Sequence, residues 1–334
     1  MVARVASLPP RAAAVVVLWL LVAGALRLAG LSSLAPAATE PASLASQPLV
    51  QWLSAAAGAI AAALASLVGF RLAGVRAGAW AGALVALSPI HTLVSRAAGP
   101  EASLVLLQLA ALWLMLGLEL KPEAAPLQAT AVGFALGMLV ASGVAAFAAV
   151  ALVCLVWLAW RPERRALGAF SWSAAVALVG AAALLGRARS PLGYGEIPAW
   201  IPETTLEGVV RCAGASFTRV IGLEYQLVFS HARYVLPLTA LLVALLVRGA
   251  LQLPVRPRGL LLAGAFVPFA LGAAMALVTG RVTPLQANRL LAALPFVALL
   301  MASGLASLSG TRAWAAGTAV AGTLAAFLAL ALGR

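Results

Sequence analysis

No aspartate occurs in this chain of 334 residues, lysine occurs only at Lys121, and charged residues make up 9% of the total. A soluble domain carries about 25% charged residues to cover its surface, so a soluble fold is excluded. Without Asp, any carboxylate chemistry must use the nine Glu. The two cysteines, Cys154 and Cys212, are far apart and give neither metal-ligand spacing nor a disulfide framework. Walker loop, Ser-His-acid set, His-x-x-x-His and Cys-x-x-Cys are all missing, so nucleotide-driven work by this chain alone is not expected. Short alternating segments, the mark of a membrane β-barrel, are missing too. The net charge is +13. Its arginines stand singly or in pairs between apolar runs, with no basic stripe interleaved with aromatics, which argues against nucleic acid as a partner.

What is present is apolar. Hydrophobic residues make up 64% of the chain, and the mean hydropathy is +1.06. Runs of about 20 residues, long enough to cross a bilayer, recur from end to end. Lipid cannot satisfy free backbone groups, so these runs are read as helices. The expected fold is all-α, a polytopic bundle of about 10 or 11 transmembrane helices. The spans are read at 12–31, 48–70, 77–94, 101–119, 126–140, 143–160, 166–186, 232–250, 258–279, 286–308 and 313–332. Merging the fifth and sixth across Ser142-Gly143 gives the lower count. The N-terminus is read as a retained first helix rather than a cleaved signal peptide. Three parts follow: an N-terminal transmembrane part, 1–186; a loop region, 187–231, with a short amphipathic helix at 203–218; and a C-terminal transmembrane part, 232–334.

Arginine placement orients the bundle. The Arg161-Pro-Glu-Arg-Arg165 cluster and the Arg256-Pro-Arg258 pair fall in short segments with Arg71, Arg76, Lys121, Arg248 and Arg312. The positive-inside rule puts these, and the N-terminus, in the cytoplasm. Loops 32–47 and 187–231 then lie outside, as do Arg27, Arg96, Arg233 and Arg289. The expected location is a bacterial-type inner membrane, with membrane lipid as a partner.

Two carboxylates fall on that outer side. Glu40 lies just past the first helix; it is either a solvated loop acid or a general base at the membrane surface. Glu101 opens the fourth helix after Gly99-Pro100. The helix dipole alone accounts for an acid there, at about 0.3–1 kcal/mol, and convergence with Glu40 would make it part of a site. Arg289, Arg233 and Arg96 can each present a guanidinium fork matched to phosphate oxygens, or simply snorkel to the interface. His91 lacks metal partners and reads as a hydrogen-bonded interface residue rather than a ligand.

These segments together resemble the GT-C superfamily of membrane glycosyltransferases, in its aminoarabinose-transferase and protein-mannosyltransferase-like branch. Leu26-Arg27-Leu28-Ala29-Gly30-Leu31 is similar to the ending of the family's first helix. Glu40-Pro41 stands where the family has its catalytic acid, and Gln47-Pro48-Leu49-Val50-Gln51-Trp52-Leu53 resembles the opening of its second helix. Leu87-Ser88-Pro89-Ile90-His91, then Ser95-Arg96 with Gly99-Pro100-Glu101-Ala102, are similar to its third-helix ending and second acid motif. Asn288-Arg289-Leu290-Leu291 leading to Pro295 resembles its Arg-Tyr-Leu-Leu-Pro helix. The likeness covers most of 26–107 and 285–308; the middle agrees only in hydropathy. The chain departs from the family in having Glu for Asp at both acids, Leu290 for Tyr, Gln47 for the first Pro of Pro-Pro, and a short first loop.

The resemblance implies transfer of a sugar from a polyprenyl-phosphate donor to an acceptor on the extracytoplasmic face. Glu40 and Glu101 would be the catalytic acids, and Arg289, Arg233 and Arg96 would hold the donor phosphate. The active-site loops would be 32–47 and 95–101. The resemblance fixes no cofactor; a divalent cation held by Glu40 and Glu101 is compatible with it, and metal dependence stays open. The sequence names neither sugar nor acceptor. The departures point to an alternative, a non-catalytic GT-C-like scaffold with membrane-protein partners. A transporter ranks below both, because helix centres look nearly free of charge.

Overall fold

A computed structural model describes residues 9–28, 48–96, 101–118, 125–142, 145–159, 205–220, 232–280, 285 and 289–332. Every regular element among them is helical. Four helices are long and apolar enough to cross a membrane, or five if a pair bent by 119° counts as one span. The chain is therefore a helical membrane protein.

Helix α1 is Pro10–Leu28 and α2 is Pro48–Ala86. Within α2, Ala73 and Gly74 leave helical geometry, and Gly74 has φ +86°. The chain folds back there into two arms. A Cβ on Gly78 would lie 2.7 Å from the Ser66 carbonyl oxygen, and one on Gly69 would lie 2.9 Å from that of Ala77. Small residues thus let the arms touch backbone to backbone, as in membrane helix pairs generally. This agrees with two helices around 48–70 and 77–94 as far as Ala86.

Beyond Ala86 the expected third helix is broken. Ser88 and Pro89 start a new helix, α3, Pro89–Arg96. The Ser88 Oγ accepts the His91 N–H at 3.4 Å, and proline suits the first helical position because it lacks a donor there. The chain then bends sharply into α4, Glu101–Leu118. Helices α5, Ala125–Ala141, and α6, Ala145–Ala159, are separate. The expected span 166–186 lies outside the described residues.

Helix α7, Leu206–Val220, is the amphipathic helix foreseen at 203–218, shifted by about one turn. After it come α8, Ala232–Gln252, and α9, Val255–Thr279. The expected tenth span opens as a 3-10 turn, Arg289–Ala293, and continues as α10, Leu294–Ala306. Every residue of α10 from Leu294 to Leu305 is buried. Its sequence is apolar all round, as a helix enclosed by others requires. Helix α11 is Gly310–Leu332.

Contacts fix the two ends of the bundle. The Arg71 guanidinium donates to the Trp113 carbonyl at 2.6 Å and lies 4.1 Å from the Trp113 ring centroid, so the fold-back of α2 meets the end of α4. Arg248 near the end of α8 donates to Ser307 just past α10, at 2.7 Å to Oγ. Helices α8 and α10 therefore run in parallel, and they approach so closely that a Cβ on Gly249 or Gly304 would overlap the facing backbone. Trp80 abuts Gly317, while Leu84 and Leu324 line one pocket with Leu294. So α11 runs alongside the second arm of α2, and the start of α10 lies at the far end. One end, here the basic end, gathers Arg71, Arg76, Arg248, Arg258 and Arg312.

Candidate functional site

Three helix ends meet inside the bundle. The second arm of α2 rises from Val75 to Ala86, about 18 Å above the basic end. The axial rise from Trp113, which Arg71 touches, back to Glu101 is also about 18 Å. The 3-10 turn opening α10 completes the level. Broken helices expose orphan carbonyls and amides that need partners where no water reaches, and the side chains here supply them.

Arg27, in the last turn of α1, is the central residue. It is wholly buried. Its Nη1 donates to the Ala23 carbonyl at 3.2 Å and the Ala86 carbonyl at 3.4 Å. Its Nη2 donates to the Val85 carbonyl at 3.2 Å and lies 2.8 Å from His91 Nδ1. A guanidinium has only protons to offer, so His91 Nδ1 is the acceptor and the imidazole proton sits on Nε2. That tautomer follows from the bonding pattern. The positive group also complements the negative end of the α2 dipole. Thr92 Oγ1 adds a second donor to the Ala86 carbonyl at 3.3 Å. Gly58 makes room, since a Cβ there would come within 2.7 Å of Arg27 Nε.

The sequence puts Arg27 on the outer side; the structure shows its guanidinium buried among helix ends rather than at an interface. Its position in the last turn of an apolar helix, with Ser-Pro-x-His downstream, was the available signal. The pairing itself spans dozens of residues, which local sequence does not show. His91 is hydrogen-bonded, as expected, but it lies wholly buried inside the bundle.

Glu101 is almost wholly buried, at 4% exposure, in the first turn of α4. Seven residues on, two helical turns along the same face, Gln108 Nε2 donates to the Ala292 carbonyl at 2.6 Å. Ala292 belongs to the 3-10 turn that begins at Arg289. That turn also touches α6, α7 and α9. So the elements bearing Glu101 and Arg289 are packed together. Arg96 ends α3 half-buried, separated from Glu101 by the bend. Glu40 lies outside the described residues, as do residues 32–47 and 97–100 of the expected loops. The side chains of Arg233 and Arg289 are likewise outside; only their backbones are placed, in the first turn of α8 and at the start of the 3-10 turn.

Helix α7 closes over this level. Ser216 Oγ donates to the Leu285 carbonyl, and the Phe217 ring stacks on Phe266 at 6.5 Å and meets Phe269 edge-on at 5.6 Å. Burial pushes the Cys212 thiol up, opposed by Ser216 and Arg219. Val220 joins Leu84, Ser88, Leu294, Val297 and Met301 around an apolar pocket. That pocket has room for little more than one water, and neither Glu101 nor Arg96 lines it. Among the described residues no three His, Cys or Glu side chains group as metal ligands, and Glu40 is not among those residues.

Chemically, the level offers a buried carboxylate, a guanidinium already held by protein acceptors and a buried imidazole Nε2–H. The chain matches no family model, no curated protein and no solved structure.

Proposed function

We propose that this chain is a GT-C-like glycosyltransferase acting on a polyprenyl-phosphate sugar at the layer of broken helix ends. The observation that carries the reading is the buried acid Glu101 on a helix that Gln108 ties to the turn beginning at Arg289. An acid and a phosphate-matching cation on two packed elements are what such a transfer requires. In the proposed reaction Glu40 takes the proton of an acceptor hydroxyl. The hydroxyl oxygen attacks the anomeric carbon, and the bond from that carbon to the phosphate oxygen breaks. Polyprenyl phosphate leaves as an anion, stabilised by Arg289 with Arg233 and Arg96. Glu101 orients the acceptor or shares a divalent cation with Glu40. The proposed setting is a bacterial-type inner membrane, with ten or eleven spans, a cytoplasmic N-terminus and the active layer toward the outer face.

The test is release of polyprenyl phosphate from a polyprenyl-phosphate sugar by the purified chain in proteoliposomes. Glu101→Gln and Arg289→Ala should each lower the rate by about 100-fold. Full activity in both variants would remove the reading. The second reading, a non-catalytic scaffold, is supported by Arg27, whose four Nη hydrogens all go to protein acceptors. A wild-type chain that releases nothing, yet co-purifies with other membrane proteins, would favour it.

A further inference from the structure

The opposite end of the molecule carries a different chemistry. None of the nine Glu falls in 41–100 or 225–334. Helices α2, α3, α8, α9 and α11 therefore carry arginine and no acid of their own. Three of these arginines lie at the end of the bundle where α10 turns into α11. Arg248 reaches that turn through Ser307, with Nε at 2.7 Å from Oγ and Nη2 at 3.3 Å from the carbonyl oxygen. Arg312 stands five residues further on, in the first turn of α11. Arg76 lies at about the same height, because it precedes Trp80 by four residues and Arg312 precedes Gly317 by five, and Trp80 abuts Gly317. All three are exposed. Ser309 and Thr311, also exposed, sit between them.

An apolar face runs away from this cluster into the bundle's flank. On α8, Val243 and Val247 are 41% and 49% exposed, one turn apart and leading up to Arg248. A free phosphate ion has no use for such a face. A phospholipid does: its phosphate meets the guanidinium forks and its acyl chain lies along the valines. We propose that Arg76, Arg248 and Arg312 form a headgroup site for an anionic phospholipid at the basic end of the bundle. Arg248 has one role in folding, holding Ser307, and a second in binding, through the part of its fork turned to solvent. The site does not depend on the glycosyltransferase reading.

The experiment is lipid retention by the full chain in neutral detergent, measured by native mass spectrometry with phosphatidylglycerol and phosphatidylcholine as probes. The wild-type chain should keep phosphatidylglycerol in preference to phosphatidylcholine. Arg76→Gln and Arg312→Gln should each weaken retention about fivefold, and together about 25-fold. Arg211→Gln, on α7 beside Glu207, should change nothing. Equal retention of both lipids by the wild type would overturn the proposal, as would wild-type retention by the double variant. Displacement of phosphatidylglycerol by millimolar inorganic phosphate would also overturn it, because the site would then take a free ion. Arg248→Gln could loosen the α8–α10 contact, so the Arg76 and Arg312 variants decide the matter.

Discussion

At the scale of single residues, the chain's lack of acids raises the question of what its arginines pair with. Among the described residues, several pair with the carbonyl groups at helix ends. Arg27 closes the end of α2, Arg71 reaches Trp113 in α4, Arg248 reaches Ser307 after α10, and Arg258 reaches Leu253 after α8 at 3.0 Å. A guanidinium suits this role because its planar fork can meet two or more acceptors at once, which an ammonium does less well. That favours Arg over Lys at these four positions. The strongest case is Arg27. Replacing it by Met should leave the Val85 carbonyl and His91 Nδ1 without a donor in a site closed to water. A loss of about 2–4 kcal/mol is expected, read as a lowered unfolding midpoint in detergent. Arg27→Lys should recover only part of it, because one point donor cannot reach three carbonyls and an imidazole. A full recovery by Lys would show that charge alone matters there. His91→Phe should cost less, about 1 kcal/mol, since it removes a single acceptor from Nη2.

At the scale of elements, much could be read from the sequence and some could not. The fold-back in α2 was legible because Arg71-Leu-Ala-Gly-Val-Arg76 interrupts an apolar run with charges and a glycine. The sequence leaves the parting of α5 from α6 open, because Ser142-Gly143 offers a turn but no charge interrupts the apolar run. The break at Ser88-Pro89 falls within the expected span 77–94, although a serine before a proline is a helix start by its own chemistry. Hydropathy does not change across that break, and hydropathy is what marks a span. The 3-10 turn at Arg289 gave no signal of its own, because Leu-Leu-Ala-Ala is a good α-helical sequence. Tertiary packing against α4, α6, α7 and α9 sets its geometry. The α8–α10 contact was likewise hidden, since Gly249 and Gly304 lie 55 positions apart. A leucine at Gly304 would drive its side chain into the Leu245 carbonyl, and overlap of this kind has no flexible neighbour to yield. Gly304→Leu should therefore separate the two helices or unfold the chain, with a loss of roughly 2–3 kcal/mol. Gly304→Ala should already lower the midpoint measurably, whereas Gly214→Ala, with open space around it, should not.

For the molecule as a whole, charge and the break level divide the bundle into two unlike halves, and their placement in a cell can be tested directly. The basic end holds exposed arginines with no acid on their helices; the other half holds the buried Arg27–His91 pair and Glu101. The positive-inside rule assigns the basic end to the cytoplasm. The candidate acids gave a weaker signal than this asymmetry, because one acid at a helix start looks the same whether it caps a dipole or takes a proton. Sidedness needs no such distinction. Cys154 and Cys212 are both buried, so the native chain should react slowly with maleimides; at Cys212 burial also raises the thiol pKa, which makes the reacting thiolate scarcer at a given pH. On that quiet background, single cysteines at Arg76, Ser309 and Arg312 should all be shielded from a membrane-impermeant maleimide in intact spheroplasts and all react after lysis. A cysteine at Glu207, exposed on α7, should react from outside. If Arg76 and Arg312 labelled from opposite sides, the parallel course of α11 and the second arm of α2 would be wrong. If both labelled from outside with Glu207 shielded, the bundle would be inverted. The layer with Glu101 would then lie toward the cytoplasm, out of reach of a reaction on the outer face.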